Sequence, residues 1–263
     1  MNNGLHGGGY AGCQCKAIDC SFALSESFPS WPTCQPIERH MLKTPQTTVA
    51  PLARNKQAVT LNLGSGTHID APAHFIPNGR TVDQLTASEE SLVGVPLVVV
   101  DVSEAGRDAD FMCSAADIRA DEAAHGPVAR HALVCIRTGW AEARHSSREQ
   151  YHNVVDEKDI DPTLGAPRMH FPGLTKDAAE LLVVERCALG IGIDTLSPDG
   201  GGCADGKFEV HNIVLGNDRY ILENLLLTKE IPARGASAVV APLNLVGAPE
   251  APSRVWAMVE SSH

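Results

Sequence analysis

Apolar and polar positions follow two different periods along this chain. Ala17–Leu24 mixes apolar and small polar residues in a pattern that predicts a first strand, followed by the turn-rich FPSWPTCQP. Val59–Leu63 alternates apolar and polar, as a half-buried strand does. Leu97–Asp101 is a β-branched run that predicts a buried strand, and Ala132–Thr138 and Leu189–Asp194 read the same way. Helical spacing dominates elsewhere. Ser114–Ala124 predicts a helix with Ser114 as its N-cap, and Lys176–Arg186 an amphipathic helix capped by Thr175. Residues 140–168 are polar and predict a helical piece and a long loop that could lie over a site. His211–Leu215 reads as a helical turn, Tyr220–Leu226 as a strand, and Ala236–Pro242 and Val255–Val259 as the closing strands.

Strands and helices mix without strict alternation, and no internal repeat is present. The expectation is one α/β domain over residues 17–263 with a mixed sheet, preceded by a flexible Gly-rich stretch over 1–16.

Composition narrows the function. The chain has 263 residues, 43% of them hydrophobic, enough to bury a sizeable core. Its net charge of −11 argues against a nucleic-acid binder, which meets phosphates with a basic face. The longest apolar run, Leu92–Val100, falls far short of the ~20 residues that span a bilayer. No signal peptide is visible, so a cytoplasmic protein with reduced thiols is expected. Eight Cys are too sparse for a disulfide scaffold. Cys13, Cys15 and Cys20 cluster, but no second pair at zinc-site spacing accompanies them, so they read as free thiols.

The chemistry concentrates in GTHIDAPAH. His68 and Asp70 are two apart, so an extended strand points both to one face, within reach of one cation. Imidazole and carboxylate suit zinc or manganese. Pro72 ends the strand, and His74 follows a bend. A catalytic metal needs more than two ligands. His211, after a Gly/Asp-rich loop, and Glu223, a charge within the apolar YILENLLL, are candidates. His125, His131, His145 and His152 lie in polar stretches and read as solvated, and His170 as structural.

The sequence resembles the cyclase-like metal-dependent hydrolases, a family that includes bacterial kynurenine formamidase and isatin hydrolase. Gly66, Thr67, His68, Asp70, Pro72 and His74 match its H-x-G-T-H-x-D-x-P-x-H hallmark. IDCSFALSESFPSWP, IRTGW, HFPGLT and GIDTLSPD look like further family landmarks, in the same order. The resemblance implies a swivelling β/β/α fold, a homodimer, and one or two Zn2+ or Mn2+ ions. It implies His68 and Asp70 as metal ligands, with Asp70 able to bridge two ions and His211 and Glu223 completing a second site. It implies His74 as general acid/base and Trp31 as a substrate-facing aromatic. The activity implied is hydrolysis of a small amide by metal-activated water. The leading substrate is an aryl formamide such as N-formylkynurenine, a step of tryptophan catabolism; isatin or lactone ring opening uses the same chemistry.

One position departs from the pattern. The family carries a ligand histidine four residues before His68, where this chain has Gly64. Water could fill the vacancy while one ion shifts toward Asp70, His211 and Glu223. A side chain from another segment could replace the histidine, or the protein could be a non-catalytic family member. An active enzyme is expected, because every other matched polar group is present.

Overall fold

Strand after strand in this protein splits its apolar residues between two separate cores. In a computed structural model that describes residues 15–42, 56–86, 92–162, 164–201 and 206–260, the strands are β1 (Cys15–Asp19), β2 (Glu38–Leu42), β3 (Lys56–Thr60), β4 (His68–Asp70), β5 (Val93–Asp101), β6 (Met112–Cys113), β7 (Leu133–Arg137), β8 (Ile160–Asp161), β9 (Ala166–Pro167), β10 (Gly173–Leu174), β11 (Gly190–Ile193), β12 (Tyr220–Glu223), β13 (Ala236–Pro242) and β14 (Glu250–Glu260). The helices are α1 (Val82–Thr86), α2 (Ala115–His125), α3 (Trp140–Arg144), α4 (Arg148–His152), α5 (Lys176–Glu180) and α6 (Glu209–Gly216). The order β14-β13-β5-β7-β11-β12-β4 closes through a further β14–β4 pairing, and β1 extends the far end of β14. Parallel pairing joins β5, β7, β11 and β12; the other ring contacts are antiparallel. The domain is therefore mixed α/β, as expected.

Period-two alternation explains the two cores. Leu97, Val99, Leu133, Cys135, Tyr220, Leu222 and Ile69 face the inside of the ring. Val98, Val100, Val134, Ile136, Ile191 and Ile221 face outward under α2, α5 and α6. A third, smaller cluster of Trp140, Tyr151, Met169, Phe171 and Leu196 anchors the 140–168 region. That region is not one long loop: it holds α3, α4 and the β8–β9 pair.

Several boundaries shift from expectation. The first strand runs from Cys15 and ends at Asp19, whose carboxylate accepts the Ser21 N–H and turns the chain. Residues 1–14, including Cys13, lie outside the described residues. Cys15 is exposed and Cys20 buried, so those two do not share one face. The strand expected at Val59–Leu63 is instead β3, paired with β2 in an exposed hairpin. It ends early because the Asn62 side chain accepts Gln35 N–H and its carbonyl accepts Ser65 N–H, which closes a turn. The Ser114–Asp117 capping box forms as the spacing predicts. Thr175 sits at the start of α5, but its hydroxyl donates to Cys113 O rather than capping backbone N–H groups. The last strand begins at Glu250, five residues before the expected Val255, because Pro249 and Pro252 disguise an alternation that starts at Ala251. No described helix is long and apolar enough to cross a membrane.

Candidate metal centre

Only three residues long, β4 is wholly buried. Ile69 fills the ring interior, so His68 and Asp70 must project to the opposite, outer face. Both neighbouring strands add to that face. Across β12, Glu223 stands opposite His68. Across β14, Glu250 stands opposite Asp70. Thr67 locks the edge in place by donating to Asn224 O (2.6 Å) and accepting Phe22 N–H. Pro72 then opens a 3-10 turn over Pro72–His74 and swings His74 back over the same face.

His211 enters from the first turn of α6. Asp199 caps this helix by accepting Val210 N–H (2.8 Å) and His211 N–H (3.2 Å). The same carboxylate takes His211 Nδ1–H at 2.6 Å. The Gly66 carbonyl takes His68 Nδ1–H at 2.8 Å. A carbonyl and a carboxylate can only accept here, so each ring offers its Nε2 to the site. Those Nε2 atoms meet one carboxylate: Glu223 Oε2 lies 3.3 Å from His68 and Oε1 lies 3.2 Å from His211. Asp70 Oδ1 lies 3.5 Å from His68 Nε2 and Oδ2 lies 3.6 Å from His211 Nε2.

Neither oxygen of Asp70, at 1% exposure, accepts a hydrogen bond. A buried carboxylate with no hydrogen-bond donor is costly, and a divalent cation removes that cost. Two sets of donor atoms lie within 4.8 Å of one another: His68, Asp70 and Glu223, and Asp70, His74 and His211. Asp70 belongs to both, which suits a bridging carboxylate. The partition differs from the one the resemblance implies, because Glu223 joins the His68 set and His74 the His211 set. The donor chemistry, imidazole and carboxylate without thiolate, fits zinc or manganese.

The electrostatics agree with a site built for positive charge. Burial disfavours the imidazolium of His68, yet Asp70 and Glu223 outweigh it and raise its pKa to about 10. Burial acts the same way on His211, and Asp199, Asp70 and Glu223 raise its pKa well above the usual range. Burial raises Asp70, and the neighbouring imidazoles of His68 and His211 pull it below the ordinary carboxylate range. Burial and the negative charge of Asp70 push Glu250 up, against the opposing pull of His68 and His74.

The site opens into a cavity of about 300 Å³. Trp31, Phe75 and Phe208 supply aromatic surface, and Gly64, Cys34 and Glu250 complete the side facing β14. Phe75 stacks on His211 with centroids 4.6 Å apart. His74, with its side chain 30% exposed, lines this cavity beside Glu250, its Nδ1 3.7 Å from Glu250 Oε2.

All six residues singled out from the sequence, Trp31, His68, Asp70, His74, His211 and Glu223, therefore line or adjoin one cavity. Two others were missed. Asp199 had no spacing signal, since it meets His211 through a loop. Glu250 carries no local signal, because the β4–β14 pairing brings it to the site. Among the remaining histidines, His125 and His131 are exposed and His145 is half-buried. His152 is a correction: it is 6% exposed, packed where its Nε2 meets Ser30 O at 3.1 Å. His170 pairs with Asp110.

A seven-stranded ring layered with helices, carrying a buried histidine–carboxylate cluster on its outer face, defines an α/β protein with a candidate divalent-cation site. The chain belongs to the Cyclase family, whose model matches residues 18–200. It is 32% identical to isatin hydrolase from Roseibium aggregatum over 199 residues, 74% of this chain and 71% of that protein. Isatin hydrolase A from Ralstonia solanacearum superposes with a TM-score of 0.80 at 29% identity, covering 94% of this chain and 92% of that one. An isatin hydrolase bound to the product analogue thioisatinate gives a TM-score of 0.80 at 27% identity, covering 94% and 93%.

Proposed function

We propose that this protein is a metal-dependent hydrolase of small amides whose nitrogen carries an aryl ring. The observation that carries the reading is Asp70, a buried carboxylate with no hydrogen bond, between two histidines whose Nε2 atoms are turned toward it. His68, Asp70, Glu223 and His211 would hold the ion, zinc or manganese. A divalent cation in such a site supplies Lewis acidity toward a carbonyl and brings the pKa of water toward neutrality. As water oxygen adds to the carbonyl carbon, His74, the most solvent-accessible of the cluster's histidines, takes the proton that water loses and delivers it to the leaving nitrogen as the C–N bond breaks. Trp31, Phe75 and Phe208 give a planar ring flat surfaces to pack against.

Isatin and N-formylkynurenine are both anilides and make the same demands on such a site. Similarity to isatin hydrolases supports the cyclic amide. The hallmark motif supports the aryl formamide equally, and its resemblance also supports a homodimer in solution. The test is hydrolysis of both compounds by chelator-treated protein reloaded with Zn2+ or Mn2+. Metal-dependent turnover of either supports the reading and names the substrate class. Bound metal without turnover of either compound would exclude both substrates, and no metal uptake would favour a non-catalytic family member.

A further inference from the structure

Gly64 and Glu250 share one volume. A Cβ built on Gly64 would lie 2.8 Å from Glu250 Oε2 and 3.2 Å from its carboxyl carbon. The atoms met are the free end of a flexible side chain, so a side chain at 64 would displace the Glu250 carboxylate from the volume it now fills. The backbone of Gly64 does not require glycine, since its φ is outside the left-handed region. With no side chain at 64, the carboxylate lies where a Cβ would otherwise press on it.

The ladder brings Glu250 to this place. It stands directly opposite Asp70 in the antiparallel β4–β14 pair, with Ala71 N–H bonded to Pro249 O at 2.9 Å. Directly opposed residues project to the same face, and Ala251 next along faces the ring interior. Two like charges in that relation destabilise a sheet unless something positive lies between or beside them. Glu250 rests 3.7 Å from His74 and stays outside the two tight donor sets. Its side chain is 22% exposed and faces the same cavity as His68 and Glu223.

We propose that Glu250 is a further metal ligand of this site, a carboxylate that takes the place a side chain at position 64 would otherwise hold. This rests on the metal-dependent reading above. Glu250 would supply an anionic donor from the strand beside β4. It raises the carboxylate count around the ion to three, with Asp70 and Glu223, which shifts preference toward harder cations such as Mn2+ relative to an imidazole-rich site.

The experiment measures Zn2+ and Mn2+ affinity by chelator competition on the parent, on Glu250→Gln, on Glu250→Ala and on the double variant Gly64→His with Glu250→Ala. Circular dichroism and thermal unfolding confirm that each variant is folded. The expected result is a loss of about tenfold or more in affinity for both single variants, with most of that loss recovered in the double variant. Single variants that bind within about twofold of the parent would overturn the proposal while leaving the metal-dependent reading intact. A loss that Gly64→His fails to recover in a folded protein would overturn the exchange and make Glu250 a residue that only orients His74. A parent that binds neither ion would overturn the metal-dependent reading and this proposal together.

Discussion

Glu223 ties two histidines from separate elements to one carboxylate: its oxygens lie 3.3 Å from His68 Nε2 on β4 and 3.2 Å from His211 Nε2 on α6. The relation is set by register, since Glu223 is the residue opposite His68 in the β4–β12 ladder. Replacing it with an isosteric amide keeps the shape and removes the charge. Glu223→Gln is expected to weaken Zn2+ or Mn2+ binding by about tenfold or more, read by calorimetric titration. Affinity equal to the parent would take Glu223 out of the ligand set.

Asp199 acts on the site through His211. It accepts the Nδ1–H of that ring and two backbone N–H groups of the same helical turn. Asp199→Asn places N–H donors where acceptors are needed and frees the ring to rotate. Metal affinity should fall about 10–100-fold, the usual effect of losing such a support. Asp199→Ala should in addition lower folding stability by about 1 kcal/mol through the lost helix cap. Denaturant unfolding of the metal-free variants separates the two effects, because Asp199→Asn keeps one capping oxygen.

His74 occupies a position that serves either of two roles. Its ring reaches the donor set of Asp70 and His211, and it is also open to the cavity. As the proton carrier, His74→Ala should keep nearly full metal content and lose about 10²–10⁴-fold in turnover. Loss of metal in parallel with activity would reassign His74 as a ligand. Elemental analysis of the variant, beside its rate, decides between them.

The raised pKa of His68, about 10 against an ordinary 6.5, makes the metal-free protein pH-dependent. A base whose folded pKa is raised stabilises the fold fully below its ordinary pKa, and that contribution is lost as pH rises through the folded value. The metal-free protein should therefore lose stability between about pH 6.5 and 10. The ion competes with that proton, so its affinity should climb over the same interval and its binding should release protons. Titrations in buffers of different ionisation enthalpy count the protons. A proton count near zero at pH 7 would contradict the charged state assigned to the metal-free site.

Much of the site was legible because its chemistry is local. His68, Asp70 and His74 lie within seven residues of one another, and a period of two is enough to put the first pair on one face. Glu223 stands out as a charge within an apolar run, and His211 by its place after a Gly/Asp-rich loop. Glu250 did not, because its role depends on which strand lies beside β4, a long-range pairing that no local period records. The departure at Gly64 was visible, but its counterpart lies 186 residues away along the chain (250 − 64) and only the folded ring joins them. The same distinction holds for the fold. The β-branched run Leu97–Asp101 marks a strand by composition, whereas the exposed β2–β3 hairpin and the early start of β14 depend on turns and partners.

The most direct test of the account is the metal content of protein purified without chelator, paired with hydrolysis of isatin and N-formylkynurenine before and after chelation. The account predicts bound zinc or manganese, turnover of an anilide, loss of that turnover with the metal, and recovery on reloading. A folded protein that takes up neither ion, or an anilide hydrolase whose rate survives complete metal removal, would contradict it.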